Sequence, residues 1–271
     1  MPTDTESRPY SAIIRTFCSF PQVEEVVRSL RAQSLPPREI IVVDSGSPDD
    51  ERSRLRWLAD TFIDFPPEPF NFSKALNLGV DAATTPSCLM ISSHFVLDDA
   101  TLIDACIRET EARGMSVFYI SNARRKRARK YTVVSAATFD GFNGFSNACG
   151  FVPTAFVRER RFREDVFACE DQEWAAWYFR ERRGSILKVG SPSIRYLNPR
   201  INVEKKINEE LAIACFVDRR RLSPRYVAWR IARAWFFTVT GSLTRAACER
   251  RVVRELWRAR RQTPRKPSRY F

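Results

Sequence analysis

The first 44 residues contain a strand–helix–strand pattern, which restricts the possible fold more than any other part of the sequence. The apolar segment 11–16 predicts one strand, and Glu39–Asp44, which is rich in β-branched residues, predicts another. Between them, apolar residues recur at positions 23, 26, 27 and 30, the spacing of one helix face. Strands joined by a helix pair in parallel, so we predict an α/β fold with an open, mainly parallel sheet flanked by helices.

Polar residues follow two of the predicted strands, at the edge where open α/β sheets bind ligands. Asp44 and Ser45 follow the second strand and begin the segment DSGSPDD. This segment is either a nucleoside-binding turn, with the carboxylate accepting hydrogen bonds, or an ordinary tight turn before a helix capped at Asp49 or Asp50. The residues alone do not decide between these two interpretations.

A third predicted strand, at 89–91, ends in Ser92, Ser93 and His94. His94 is the only histidine in the chain. Because the carboxyl ends of parallel strands meet at one edge of the sheet, we expect these side chains to lie near the Asp44 turn. Asp98 and Asp99 follow shortly and predict the cap of the next helix.

The composition predicts a globular body and limits where the protein works. With 271 residues, 44% of them hydrophobic, the chain is long enough to bury a full core. Its seven cysteines are scattered without a Cys-X-X-Cys pair, which predicts free thiols in a reducing compartment. The first ten residues do not resemble a signal peptide, and no apolar run reaches the ~18 residues of a membrane span. We therefore expect a cytoplasmic protein, soluble or peripheral to the inner face of the plasma membrane.

The formal net charge of +13 lies entirely in the last quarter of the chain. Residues 1–199 carry 26 basic and 26 acidic side chains, whereas residues 200–271 carry 19 and 6. A neutral body argues against a nucleic-acid partner, because enzymes that act on nucleic acids need a basic channel at the active site. A basic tail favours attachment of the body to an anionic surface. We predict a body at 1–199 and a basic helical extension at 200–271.

Three blocks of the sequence resemble family 2 glycosyltransferases in the order and spacing of that family. They read SAIIRTFCSFPQVEEVVRSLRAQSLPPREIIVVDSGSPDD, FNFSKALNLGVDAAT and FACEDQEWAAWYFRERRG, beginning at residues 11, 70 and 167. The resemblance implies the GT-A fold, a single Rossmann-like sheet that binds a nucleotide-diphosphate sugar. It also implies that Thr16, Asp44 and Ser45 lie at the nucleoside. Lys74 and Asn77 match a helix under the diphosphate, where a cation stabilises developing charge, although a lysine at a helix start is often only solvated.

The sequence departs from the family at Ser92-Ser93-His94, where most members carry Asp-X-Asp or Asp-Asp to hold a divalent metal. Two hydroxyls and an imidazole are poor ligands for Mg²⁺, and Mn²⁺ tolerates the nitrogen better. We therefore expect no metal cofactor, with Mn²⁺ or Mg²⁺ as the alternative. A subset of the family resembles this chain here, with Ser-Ala-His. His94 is then a hydrogen-bond partner of the donor diphosphate or sugar, with Ser92 and Ser93 beside it, or a core histidine satisfied by backbone.

The third block implies the acceptor side of the site. Glu170 and Asp171 resemble the Glu-Asp motif at a helix start in which a carboxylate takes the proton of the acceptor hydroxyl. Asp171 is the expected general base, with Glu170 orienting the substrate and Trp174 packing against the sugar or acceptor. Asn147 lies in a glycine-rich segment that resembles one near the sugar. A single base implies inverting transfer without a covalent intermediate.

Two further segments, at 195–200 and at 124–130, have more than one interpretation. Tyr196 stands where many members place a histidine, and Arg195 or Arg200 is a candidate phosphate contact. The basic run 124–130 is either a solvated loop or a contact for an anionic acceptor such as a lipid pyrophosphate.

The extension is predicted to be helical at 204–216 and 225–240. In the second helix an apolar face contains residues 228, 231, 232, 235 and 239, with Arg230 and Arg233 away from it. This face either lies on an anionic membrane or packs on the body or on a second copy of the chain.

These features predict an inverting glycosyltransferase that moves a sugar from a nucleotide-sugar donor to a hydroxyl of a glycan or lipid-linked acceptor, in bacterial surface polysaccharide assembly. The alternative is a catalytically degenerate GT-A domain that binds a nucleotide or glycan and acts as an adaptor at the membrane. A nucleotidyltransferase is disfavoured, because the first loop lacks a glycine-rich triphosphate signature.

Overall fold

The computed structural model describes residues 9–123, 128–197 and 202–262, together with Pro264 and Lys266. The strands are β1 (Tyr10–Thr16), β2 (Glu39–Asp44), β3 (Thr61–Asp64), β4 (Ser87–Ser92), β5 (Phe95–Leu97), β6 (Val117–Asn122), β7 (Lys130–Val134), β8 (Cys149–Pro153), β9 (Ile186–Ser191) and β10 (Ile194–Tyr196). The helices are α1 (Phe20–Arg31), α2 (Asp49–Leu58), α3 (Phe72–Ala82), α4 (Leu102–Ala112), α5 (Thr154–Glu159), α6 (Glu170–Glu181), α7 (Val203–Ala212), α8 (Pro224–Val239) and α9 (Leu243–Ala259). A π-helical turn at Ile213–Val217 and a 3₁₀ turn at Arg219–Leu222 join α7 to α8.

One large mixed sheet organises the body. Within the described residues its order is β3-β2-β1-β4-β8-β6-β9-β7. The first four strands pair in parallel, as do β6 and β9, whereas β8 and β7 run antiparallel to their neighbours. Strands β5 and β10 form a separate antiparallel ladder. The predicted α/β architecture is therefore confirmed.

Helices cover both faces of the sheet because successive strand residues point to opposite sides. Ala12 and Ile14 of β1 share an apolar cluster with α1 and α4, whereas Ile13 shares one with α3 and α6. Helix α3 lies so close to β1 that a Cβ added at Gly79 would overlap Ile13. This close packing holds the helix of the second sequence block against the central strands.

The strand register brings polar residues from separate parts of the chain to one edge. Thr16 of β1 pairs with Asp44 of β2, and Arg15 pairs with Ser92 of β4. The short β5–β10 ladder then returns the chain to the turn after β4, where the backbone N–H of residue 197 donates to the carbonyl of His94 at 2.9 Å. This register confirms the expectation that the residues after β2 and β4 lie at one edge of the sheet.

The extension packs on the body. Phe167 of the body shares an apolar cluster with Ile207 and Leu211 of α7, and Arg221 donates to the carbonyl of Asp140 at 2.5 Å. Both predicted helices are present, and α8 and α9 form a helical hairpin. The predicted boundary at 199/200 lies outside the described residues.

Helix α8 buries the face opposite to its apolar one. Val227, Arg230 and Ala234 are buried, whereas the predicted apolar face at positions 228, 231, 232, 235 and 239 is exposed. Arg230 is 2% exposed and pairs with Glu249 at 2.8 Å and with Glu210. The extension thus packs on the body as a helical hairpin, while the apolar face of α8 stays exposed because an ion-pair network occupies the buried side of the helix.

Candidate active site

A cavity of about 320 Å³ lies at the carboxyl ends of β1 and β4. Its walls come from the end of β1, the turn after β4, the loop before β8, the start of α6, and α7 of the extension. The polar residues on these walls include Arg15, His94, Asn147, Glu170, Asp171 and Lys205. Ligands of open α/β sheets bind at this edge, so the cavity is the candidate active site.

Asp171 lies in the cavity wall in the first turn of α6. The preceding residue, Cys169, has a left-handed backbone at φ +57°, a strained conformation for a non-glycine residue at the point where the chain turns into the helix. The Oδ1 and Oδ2 atoms of Asp171 accept hydrogen bonds from the backbone N–H groups of Gln172 (2.8 Å) and Asn147 (3.2 Å). Burial, and then the negative charge of Glu170, raise the pKa of Asp171 to about 7. Such a carboxylate is able to take up a proton at neutral pH.

Glu170 is held by a network that joins three distant parts of the chain. It is 5% exposed, and its Oε1 accepts from Asn147 Nδ2 at 2.7 Å and lies 3.5 Å from Arg15 Nη1. Arg15 also donates to Asn147 Oδ1 at 3.1 Å, and its guanidinium lies 5.1 Å from the centre of the Phe72 ring. Because each member contacts the other two, the network fixes the side chains of Arg15, Asn147 and Glu170 in the cavity wall.

His94 lies in the turn after β4 and lines the cavity. Its Nδ1 is 3.1 Å from Ser93 Oγ, and its ring meets the Tyr196 ring edge-on at 5.9 Å between centres. Burial, and then the positive charge of Lys205, lower the pKa of His94. The imidazole is therefore neutral at pH 7 and offers one N–H donor.

The Asp44 turn lines a second cleft, of about 560 Å³, together with Ser45 and residues of the segment 64–70. Asp44 is 1% exposed and accepts hydrogen bonds from the N–H groups of Gly46 (3.1 Å) and Ser47 (2.9 Å) and from Ser47 Oγ (2.6 Å). These hydrogen bonds close a tight turn, whereas the predicted helix cap at Asp49 or Asp50 is wrong, and nucleoside binding by the segment stays a prediction. The helix that follows begins at Asp49, after an N-cap at Pro48.

Two of the predicted contacts, Trp174 and Asn77, are buried away from the cavity, and for these the prediction is wrong. Trp174 is fully buried in the core, and its Nε1 donates to the carbonyl of Arg160 at 2.9 Å, because the side chain points away from the start of α6. Asn77 is 2% exposed and bonds the backbone of Phe162, so it ties α3 to the segment before α6. Lys74 pairs at 2.5 Å with Glu68, which lines the second cleft, and contact of Lys74 with the donor stays a prediction.

The remaining residues predicted from the sequence lie partly at the cavity and partly away from it. Thr16 is fully buried beside the Asp44 turn, and its Oγ1 has no hydrogen-bond partner in the described part of the chain. Ser92 and Ser93 line the cavity with His94. The N-cap of α4 is Thr101, so the predicted cap at Asp98 and Asp99 is wrong, and Asp98 instead pairs with Arg195. Arg200 and residues 124–127 of the basic run lie outside the described residues.

Arg15 and Lys205 line the cavity, although sequence reasoning does not identify them. Arg15 is the only charged residue in β1, YSAIIRT, and a lone charge near the end of an apolar strand is a signal that points to a site. Lys205 has no such signal, because it lies in the extension, beyond the resemblance. Helix α7 is brought to the cavity only by tertiary packing.

The residues at the cavity do not fit a divalent metal. Across the described residues, no group of three or more His, Cys, Asp or Glu side chains is arranged to hold one. The turn after β4 offers two hydroxyls and an imidazole, a poor set for Mg²⁺.

The fold and the site together define the class of the protein. A large mixed α/β sheet flanked by helices, with a cavity at the carboxyl ends of β1 and β4, is the GT-A arrangement. A family model described as glycosyl transferase family 2 matches residues 11–167, more than half of the chain. The chain therefore belongs to glycosyl transferase family 2. No curated protein matches it significantly.

Solved structures share the fold at low sequence identity. The mannosyltransferase PcManGT from Pyrobaculum calidifontis, in complex with GDP-Man and Mn²⁺, is 13% identical with a TM-score of 0.64, covering 97% of this chain and 89% of that one. S. aureus TarS 1-349 with UDP is 14% identical with a TM-score of 0.57, covering 94% and 92%. Glucosyl-3-phosphoglycerate synthase from Mycobacterium tuberculosis, with Mn²⁺ and UDP, is 15% identical with a TM-score of 0.58, covering 77% and 78%. The chain spans 43% of a longer TarS chain, at 18% identity and a TM-score of 0.56.

Proposed function

We propose that this protein is an inverting glycosyltransferase that moves a sugar from a nucleotide-sugar donor to a hydroxyl of a glycan or lipid-linked acceptor, at the cytoplasmic face of a bacterial membrane. Family membership supports glycosyl transfer. Structures of similar fold hold UDP, UDP-GlcNAc or GDP-Man, which supports a uridine or guanosine diphosphate donor. The observation that carries the proposal is Asp171, a cavity carboxylate whose pKa is raised to about 7.

In the proposed reaction Asp171 takes the proton of the acceptor hydroxyl. The acceptor oxygen forms a bond to the anomeric carbon, while the bond from that carbon to the diphosphate oxygen breaks on the opposite side. The electron pair leaves with the nucleoside diphosphate, so no covalent enzyme intermediate forms. Glu170 acts as a positioning residue, because it holds Asn147 and Arg15 in the cavity wall.

The donor is proposed to reach from the second cleft into the cavity. Thr16, Asp44 and Ser45 lie on the nucleoside side, and Ser92, Ser93 and His94 lie on the phosphate side. A neutral imidazole donates one hydrogen bond to a phosphate oxygen, and the Arg15 guanidinium adds positive charge. No step in this scheme passes through a metal ion.

Turnover of candidate donors tests the proposal. We expect release of nucleoside diphosphate from at least one UDP-sugar or GDP-sugar, at a rate that EDTA lowers by less than half. The released nucleoside diphosphate is measured with a coupled assay or by chromatography, with and without added Mn²⁺. If no donor is turned over under either condition, the adaptor alternative is favoured. Release that requires Mn²⁺ contradicts metal-independent transfer.

We also propose that the exposed face of α8 binds an anionic lipid bilayer. The face contains Trp235 (69% exposed), Phe236 (56%) and Val239 (64%). Residues 219–248 contain seven arginines and no acidic residue. Aromatic rings beside arginines suit the interface of an anionic membrane, whereas two copies joined through this face would oppose like charges. None of the described helices is long and apolar enough to cross a membrane.

Sedimentation with vesicles tests the membrane proposal. Wild-type protein should bind vesicles that contain phosphatidylglycerol in phosphatidylcholine and not pure phosphatidylcholine, and the double variant W235S/F236S should bind about tenfold more weakly. The matched control is Trp57→Ser, since Trp57 is 88% exposed on α2 in the body. Equal binding by W235S/F236S and wild type, or a dimer in solution that the double variant abolishes, would contradict membrane binding by this face.

A further inference from the structure

The basic extension completes the candidate active site. Asn202, Lys205 and Glu209 of α7 and its cap line the cavity that also contains His94 and Asp171. Asn202 accepts hydrogen bonds from the N–H groups of residues 204 and 205, so the first turn of α7 is capped. Residues more than 30 positions beyond the acidic pair therefore form one wall of the same space.

The cavity needs cations if it is to hold a diphosphate, and its walls supply few. Arg15 is engaged by Glu170 and Asn147, and its side chain is 13% exposed. His94 offers one N–H and no charge at neutral pH, for the reason given above. The turn after β4 has no metal ligand set. The remaining cationic group on the described walls is the ammonium of Lys205.

The Lys205 ammonium is available to a ligand. Its ion-pair partner Glu209 Oε1 lies 3.9 Å away, at the outer limit of an ion pair, and the lysine side chain is 54% exposed. Its charge reaches His94 across the cavity and acts on the pKa of that imidazole. Lys205, His94 and Asp171 thus line the same cavity.

We propose that Lys205 binds the diphosphate of the donor and carries positive charge that a divalent metal supplies at this edge of other GT-A sheets. This inference rests on the proposed function, because it presupposes a nucleoside diphosphate donor. The lysine is a point charge on a flexible stem, so it follows the departing diphosphate as negative charge develops there. The extension is then part of the catalytic unit as well as a surface for attachment.

Calorimetric titration in EDTA tests this proposal with UDP, GDP, uridine and guanosine as probes. For the nucleotide that the wild type binds, Lys205→Ala should weaken diphosphate binding about tenfold and leave binding of the free nucleoside unchanged. Lys205→Arg should retain most of the affinity, because it keeps the charge. The matched control is Lys206→Ala, since Lys206 is the next residue of α7, is exposed and does not line the cavity.

Each other outcome overturns the proposal in a recognisable way. Equal diphosphate affinity in the Lys205→Ala variant and the wild type removes the role of Lys205, while the proposed function stands. Equal loss of nucleoside and diphosphate binding assigns Lys205 a structural role only. Wild-type binding of UDP or GDP that appears only with Mn²⁺ assigns the charge to a metal. Absence of nucleotide binding in EDTA and in Mn²⁺ alike overturns the proposed function and this inference with it.

Discussion

Replacing Asp171 with Asn should lower the turnover number for sugar transfer by about 1,000-fold. The amide has nearly the same shape as the carboxylate and cannot take the proton of the acceptor hydroxyl. Affinity for the nucleoside diphosphate should stay within about twofold of the wild type, because Asp171 is proposed to face the acceptor. Transfer is measured by release of nucleoside diphosphate, and binding by calorimetry. Retention of more than a tenth of the activity would show that the base lies elsewhere.

The same assignment predicts how the wild-type rate depends on pH. Only deprotonated Asp171 takes up a proton, and burial with the neighbouring charge of Glu170 raises its pKa to about 7. The value of kcat/KM should therefore fall as the pH falls through about 7. In a Glu170→Gln variant the neighbouring charge is gone, so this fall should move to lower pH. A kcat/KM that is constant down to pH 5 would contradict the assignment.

A matched variant separates these effects from a general loss of charge. Asp104 lies on α4, where it pairs with Arg108 on the surface of the body. Asp104→Asn removes the same charge as Asp171→Asn without touching the cavity. It should keep the wild-type rate and pH profile.

Replacing Arg230 with Ala should lower the free energy of unfolding by about 3 kcal/mol. Arg230 and Glu249 are 2% and 5% exposed and lie 2.8 Å apart, and Glu210 pairs with the same guanidinium. Removal of the arginine leaves two carboxylates without their buried cation, at the junction of α7, α8 and α9. Urea denaturation followed by circular dichroism measures the loss.

Arg225→Ala is the control for this variant, because Arg225 is exposed on the same helix. It should change the free energy of unfolding by less than about 0.5 kcal/mol. If Arg230→Ala costs no more than Arg225→Ala, the buried network does not hold the extension together. Because α7 carries Lys205, we expect the loss of the Arg230 network to weaken nucleotide binding as well.

Much of the body is predictable from local pattern. Apolar periodicity in the first 44 residues defines β1, α1 and β2, and their order in the chain requires parallel pairing. Polar residues after β2 and β4 then lie at one edge, where Asp44 and His94 lie. The acidic pair at 170–171 is identified only through the family resemblance, because acidic residues at a helix start are otherwise ordinary capping residues.

Local sequence pattern does not predict the contacts made by buried polar side chains. Trp174 and Asn77 belong to blocks with a functional resemblance, and both point into the interior. One helical turn separates a cavity residue from a core residue, so sequence spacing does not decide which side faces the cavity. The Arg15 network joins residues 132 and 155 positions apart, which no local pattern encodes.

The sequence alone determined the α/β architecture and the basic extension, because these depend on periodicity and composition, and the resemblance to family 2 glycosyltransferases pointed to the acidic pair and to the missing carboxylates after β4. Tertiary structure decided that α7 forms a wall of the cavity and brings Lys205 to it. It also decided which face of α8 is buried. That choice depends on Glu210 and Glu249 of two other helices, which pair with Arg230 and leave the aromatic face exposed.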